Sequence, residues 1–379
     1  MTTATTTTLL PGTDTVLEAL PKVSLHDHLD GGLRPQTIIE LAADAGVELP
    51  TTDAHELAAW FAEKSNSGSL VEYLKTFDIT TAVMQSREGL ERVAREAVLD
   101  LAADGVVWGE LRWAPEQHQQ GGLSLDETVE AVQAGIDAGV QEARSLGHRI
   151  RIGQLVSAMR HADRGLEIAE LAVRHRDYGV VGFDIAGAEA GFPASRLRDA
   201  FDHLAASFFP ATVHAGEADG LESIRGALLD GRALRLGHGV RLAEDIEITT
   251  EGESTFARLG TLAEWVKDRG IALETSPSSN LQTGAIAQWG DELVDHPLDL
   301  FYQLGFRVTV NTDNRLMSGT TLSRELALVA EAFGYGLDDI LAFQLNAAEA
   351  AFLPVEDRVE LAEMIVEGFE AALAGEHAE

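Results

Sequence analysis

The sequence predicts an α/β chain folded as a (β/α)8 TIM barrel, with a helical insertion after the first strand and extra C-terminal helices. Three observations lead there. Eight short apolar, β-rich runs alternate with longer segments whose apolar residues recur at three- and four-residue steps, as amphipathic helices require. Alternation of that kind implies parallel pairing of the strands. Polar side chains gather at the C-terminal ends of the runs, the face on which a βα barrel builds its site.

In chain order the strand candidates are KVSLHDHL (22–29), VVWGELRW (106–113), RIRIGQLVSA (149–158), VVGFDIAG (180–187), ATVHAGE (211–217), ALRLGHGV (233–240), IALETSPS (271–278) and RVTVNTDN (307–314). The first gap, from residue 22 to residue 106, is 84 residues long and holds helical patterns at PQTIIELAADAG, DAHELAAWFAEK and SLVEYLKTFDITTAVM. Segments such as 124–147, 163–176 and 220–231 supply crossover helices, and 320–376 reads as further helices outside the barrel. Residues 1–20 are expected as a flexible, Thr-rich tail, and 21–379 as one barrel domain without a dividing linker.

The formal charge is −34, from 28 Lys and Arg against 62 Asp and Glu. Such a surface repels phosphate backbones and anionic membranes, which excludes a nucleic-acid substrate. There is no cysteine, which removes disulfides, thiolate metal sites and cysteine nucleophiles and suits a reducing, cytoplasmic setting. No segment approaches the roughly 20 apolar residues of a membrane span, and the oligomeric state is left open.

His26 and His28 stand two apart, so on a strand they share a face. His214 ends the fifth strand and Asp313 the eighth. Any one of these is an ordinary hydrogen-bonding residue by itself. Three imidazoles and a carboxylate meeting at one mouth suit Zn²⁺, with Fe²⁺ or Co²⁺ as alternatives. Glu217, after the flexible Gly216, and His238, between two glycines, are candidates for proton transfer beside such a metal. Asp30 is either turn chemistry or a ligand contact, and Gly187 either a strand end or a close backbone approach. Leu70, Tyr73, Leu74 and Phe77 form an i, i+3, i+4, i+7 stripe, a core face unless the helix overhangs the mouth and walls a flat ligand.

With VSLHDHLDG (23–31), DIAG (184–187), TVHAGE (212–217), LGHG (236–239), SPSSN (276–280) and NTD (311–313) in that order, the chain resembles the adenosine deaminase family of the amidohydrolase superfamily. SLVEYLKTFD (69–78) is similar to the family's lid, and Asn346–Ala348 with Phe352, Leu353 and Pro354 to its closing helices. The resemblance implies one zinc ion on His26, His28, His214 and Asp313, and hydrolytic removal of the 6-amino group of adenosine or 2′-deoxyadenosine. Glu217 would protonate the purine N1. His238 would orient the water and, with Asp313, take its proton. Asp30 would bind a ribose hydroxyl, and the Gly187 backbone N–H the purine N3. Where the family usually has a second Asp followed by Pro, this chain has Asn314 and Arg315. Asn314 would donate to the purine N7 without needing a proton, and Arg315 near the mouth would favour a more anionic substrate. Other 6-aminopurines (adenine, an adenine nucleotide, an aminofutalosine-type metabolite) are the alternative substrates. A two-metal relative would need a lysine in the fourth strand, and none lies between Lys75 and Lys267. A binding protein on an inactive barrel is the rival of another class, disfavoured by a proton donor beside the metal ligands.

Overall fold

The computed structural model describes residues 7–252 and 254–376. Its barrel is built from β1 (Lys22–His28), β2 (Val106–Trp113), β3 (Arg151–Met159), β4 (Val180–Ala186), β5 (Thr212–Ala215) and β6 (Arg235–His238), then β9 (Ala272–Thr275) and β10 (Val308–Val310). All pairings among these eight strands are parallel, in the runs β1-β2-β3-β4 and β5-β6-β9-β10. A bridge from Phe183 to Ala211 joins the runs on one side, and one from Asp27 to Asp313 closes the ring on the other. All eight predicted strands are present, and the strands of the second run are shorter than expected.

Two strands were not expected. β7 (Ile246–Glu251) and β8 (Ser254–Leu259) form an antiparallel hairpin between β6 and the helix Thr261–Asp268. Most of the hairpin is exposed on both faces. It therefore lacks the buried stripe by which strands are recognised in sequence.

The insertion after β1 forms helices Pro35–Ala45, Ala54–Ser65, Leu70–Leu74 and Phe77–Val83. The helical pattern over 69–84 is thus divided at Lys75 and Thr76, and the apolar stripe spans two short helices. After β10 the chain continues through Leu322–Phe333, Leu337–Ala350 and Val355–Glu376. Of the tail expected over 1–20, residues 1–6 lie outside the described residues. The rest packs: Leu9 bridges to Val16, and Leu10 and Leu17 are buried. Lys22 Nζ, also buried, donates to the carbonyls of Leu17 and Leu20 and so ties this segment under β1. Burial lowers the Lys22 pKa to about 8. Among the described residues no helix is long and apolar enough to cross a membrane.

Beneath the C-terminal mouth the barrel interior is ionic. Arg112 donates to Asp184 (2.9 Å), Glu274 (2.7 Å) and the Leu25 carbonyl (2.6 Å). Arg235 donates to the other Glu274 oxygen and to Glu110, and its guanidinium carbon lies 3.7 Å from the Phe352 ring centre. These charges are fully buried. Removing one partner from such a set leaves a charge without compensation. Glu110→Ala should therefore lower unfolding stability by about 3 kcal/mol or more. Urea unfolding measures this, and a loss below about 1 kcal/mol would show that Glu110 is not needed to balance Arg235.

Candidate active site

The strand ends bring the sequence-predicted residues to one place. Ligand atoms of His26, His214, His238 and Asp313 lie within 4.8 Å of one another. His28 joins them, its Nε2 being 3.3 Å from His214 Nε2 and 3.3 Å from Asp313 Oδ1. His26 Nε2 is 3.3 Å from the same Asp313 oxygen, is buried and has no hydrogen-bond partner.

The outer nitrogens of these rings differ in what they meet. His26 Nδ1 is 3.1 Å from Glu274 and His214 Nδ1 is 2.8 Å from Asp184, whereas the carboxylate nearest His28 Nδ1, Asp30, is 3.7 Å away and beyond hydrogen-bond reach. A carboxylate at Nδ1 holds the proton there and turns the Nε2 lone pair inward, the usual second contact of a metal-binding histidine. The Nε2 atoms of His28 and His214 lie 3.3 Å apart, close enough for one cation to meet both. Burial lowers the His214 pKa to about 4, so this ring is neutral and able to ligate at neutral pH.

His238 differs. The backbone N–H of Leu298 donates to His296 Nδ1 (3.0 Å), so His296 carries its proton on Nε2, 3.1 Å from Asn280 Oδ1. The Ser276 N–H also donates to that Asn280 oxygen (3.2 Å), which orients the amide. Asn280 Nδ2 therefore donates to His238 Nδ1 (3.0 Å). Neutral His238 then has its proton on Nε2, 3.5 Å from Glu217 Oε2. It presents a donor to the site. This arrangement suits the water-orienting part of the role expected of His238, because an amide N–H occupies the nitrogen that would otherwise carry the ring's proton. Burial holds its pKa well below the usual histidine range.

Glu217 is reached through a turn at Gly216, whose φ of 73° puts it in the left-handed region. Glu189 fixes that turn by accepting the N–H groups of Gly216 (2.6 Å), Glu217 (3.1 Å), Ala218 (2.7 Å) and Asp219 (3.0 Å). The Glu217 carboxyl is buried, its Oε1 has no hydrogen-bond partner, and burial followed by the charges of Asp313 and Glu189 raises its pKa well above the carboxylate range. His238 and Asp313 both have positive φ, 65° and 58°. Strain of this kind in non-glycine residues clusters at functional sites.

A cavity of about 460 Å³ opens above these groups. Every predicted site residue except the fully buried His26 lines it, including Asp30, Gly187 and Asn314. Leu70, Tyr73, Leu74 and Phe77 do overhang it, so the stripe is a wall as well as a core face. Asp30 Oδ1 is buried without a hydrogen-bond partner. Gly187, at φ 96°, carries the backbone past the cavity where a side chain would be strained. Asn314 lies against Gly31, where a β-carbon would come 1.9 Å from its Oδ1. Arg315 corrects another expectation: it turns away from the cavity to Asp27 (2.7 Å), with Asp100 at 3.7 Å, so it offers no charge to a substrate.

Sequence reasoning missed the orienting residues. Asp184 and Asn280 stood inside quoted motifs without a role, and Glu274 showed as a lone carboxylate in an apolar run. Glu189 and His296 gave no signal, because their contacts are made across the fold.

Comparison with known proteins agrees with this geometry. The adenosine deaminase family model matches residues 21–368. Adenosine deaminase 1 of Streptomyces coelicolor is 54% identical over 97% of this chain and 91% of its own length. Adenosine deaminase of Mycobacterium ulcerans is 51% identical, covering 97% and 99%. A crystal structure of an amidohydrolase with bound Zn, from Burkhoderia ambifaria, superposes with a TM-score of 0.80 at 23% identity, over 98% of each chain. The chain belongs to the adenosine deaminase family.

Proposed function

We propose that the chain hydrolyses adenosine and 2′-deoxyadenosine to inosine and 2′-deoxyinosine with release of ammonia, using one zinc ion, as a purine-salvage enzyme of the cytoplasm. The observation that carries the reading is a buried carboxyl with a raised pKa, Glu217, placed beside converging imidazole nitrogens at the floor of a nucleoside-sized cavity. Relatives at 51 and 54% identity bear the name adenosine deaminase. The site's orphaned His26 Nε2 and the facing nitrogens of His28 and His214 fit a cation. His26, His28, His214 and Asp313 would hold it, and the three-imidazole, one-carboxylate set suits zinc. Zinc, when bound, supplies Lewis acidity that brings the pKa of water from 15.7 to about 7.

The residues divide the remaining work. Glu217 donates its proton to purine N1 as water adds at C6, which relieves the negative charge pushed into the ring. His238 holds the water by donating from Nε2, and the Asp313 carboxylate accepts the water's proton. The C6–N bond then breaks, the amino group leaves as ammonia carrying that proton, and the C6 hydroxyl proton returns to the Glu217 carboxylate, leaving the 6-oxopurine. Asp30 accepts from a ribose hydroxyl, which satisfies its unpartnered oxygen. The Gly187 N–H meets N3, and the Asn314 amide donates to N7. Leu70, Tyr73, Leu74 and Phe77 cover the base and exclude water.

Three outcomes are expected. Ultraviolet absorbance should show conversion of adenosine and 2′-deoxyadenosine, abolished by a zinc chelator and restored by Zn²⁺, with little conversion of AMP or adenine; preferred AMP turnover would reassign the substrate. Glu217→Gln should retain zinc by metal analysis while losing about 10²–10⁴ in kcat, whereas His214→Ala should lose the metal; near-normal turnover in the first or full zinc occupancy in the second would overturn those roles. Nitrogen-15 NMR of the His238 ring should report the Nε2–H tautomer, and Asn280→Asp should remove it and cut kcat about 10–100-fold. An Nδ1–H ring in the unaltered protein would return His238 to the role of proton acceptor.

A further inference from the structure

At the opposite, N-terminal mouth of the barrel lies a second cavity of about 620 Å³. Its charged lining is Arg176, Arg235, Arg269, Arg307 and Arg358 against a single acid, Glu349. In a chain of net charge −34 such a concentration is unexpected. Arg235 is neutralised from inside by Glu110 and Glu274, and Arg307 by Glu349. Among the described residues Arg176, Arg269 and Arg358 pair with no carboxylate, although acids outnumber bases 62 to 28. The local excess is three positive charges.

These guanidinium groups are held in place by contacts that leave most of their donors free. Arg176 lies 5.2 Å from the Phe209 ring centre and donates to the Ser207 carbonyl. Arg269 stacks 3.2 Å from the Trp265 ring centre. Arg358 uses one amine on the Glu349 carbonyl (2.7 Å), and its Nε is buried with no partner. Arg307 donates to the Gly270 carbonyl (2.9 Å). A guanidinium has five N–H donors in a planar fork that matches phosphate oxygens in pairs. Arginines already ordered by stacking lose little further entropy on binding.

The same cavity has an apolar side. Phe208, 93% exposed and at φ 51°, stands at its edge with Leu234 and Pro210. A lone phosphate would leave most of 620 Å³ empty, whereas cavities of about 300–1,000 Å³ suit molecules that bury a ring as well. We propose that this mouth is a binding site for a nucleoside polyphosphate, with its phosphates on Arg176, Arg269 and Arg358 and its base against Phe208 and Leu234. The site goes beyond the deaminase reading and shares no residue with the catalytic mouth.

Calorimetric titration of the full, zinc-loaded chain with ADP, pyrophosphate and inorganic phosphate tests it, with inosine present to fill the catalytic cavity. One saturable ADP site is expected, tighter than pyrophosphate, with orthophosphate weakest. Arg269→Ala and Arg358→Ala should each weaken ADP by about tenfold while leaving adenosine turnover unchanged, which shows that both variants fold. Phe208→Ala should weaken ADP and leave pyrophosphate alone. The proposal is overturned if no saturable ADP binding appears, or if binding survives unchanged in the double arginine variant, as it would for an anion that merely strips zinc.

Discussion

The arrangement depends on one buried carboxylate. Glu274, fully enclosed in the barrel, accepts from Arg112, Arg235 and Thr212 and stands 3.1 Å from His26 Nδ1. Burial alone would drive its proton on, but the two guanidinium groups outweigh that and hold its pKa well below the usual range. A charged Glu274 keeps the His26 proton on Nδ1 and the lone pair of Nε2 free. Buried charge of this kind contributes little net stability, since desolvation offsets the attraction. What it supplies here is orientation, because each group in the ladder has one arrangement that leaves no charge unmatched.

The same logic extends outward from Glu274. Arg112 reaches Asp184, which stands beside His214 and also accepts the His214 backbone N–H (3.3 Å). Two of the inward-facing imidazoles are thus set by carboxylates that share one arginine. His238 belongs to a separate chain of neutral groups running from the Leu298 amide through His296 and Asn280. Chemically identical rings receive different roles, as lone-pair donor or as N–H donor, from what touches Nδ1.

The Glu217 side of the site is built differently. At Glu217 the charge of Arg160 and a hydrogen bond with Thr283, which favour ionisation, are outweighed by burial and by the charges of Asp313 and of Glu189 under its own turn. Four backbone N–H groups meet the Glu189 carboxylate, whose charge is among the causes that raise the Glu217 pKa. Adjacent carboxyl groups with opposed environments divide acid from base, a common way of performing both kinds of proton transfer at one pH.

The eight barrel strands, the helical insertion and the convergence of His26, His28, His214 and Asp313 at one mouth were legible in the sequence. Apolar periodicity reports burial directly, and a histidine or aspartate at the end of an apolar strand has few other places to point. The family motifs added roles for Glu217, Asp30 and Gly187, whose local spacing alone was ambiguous. Three-dimensional packing decided what depends on contacts between distant residues: Glu189 beneath the Glu217 turn, Asn280 and His296 behind His238, and Arg315 drawn away from the cavity to Asp27. Sequence shows which groups are present and which face of an element they occupy. Which nitrogen bears a proton, and which arginine is left without a counter-charge, follows only from the partners that folding brings within hydrogen-bond reach.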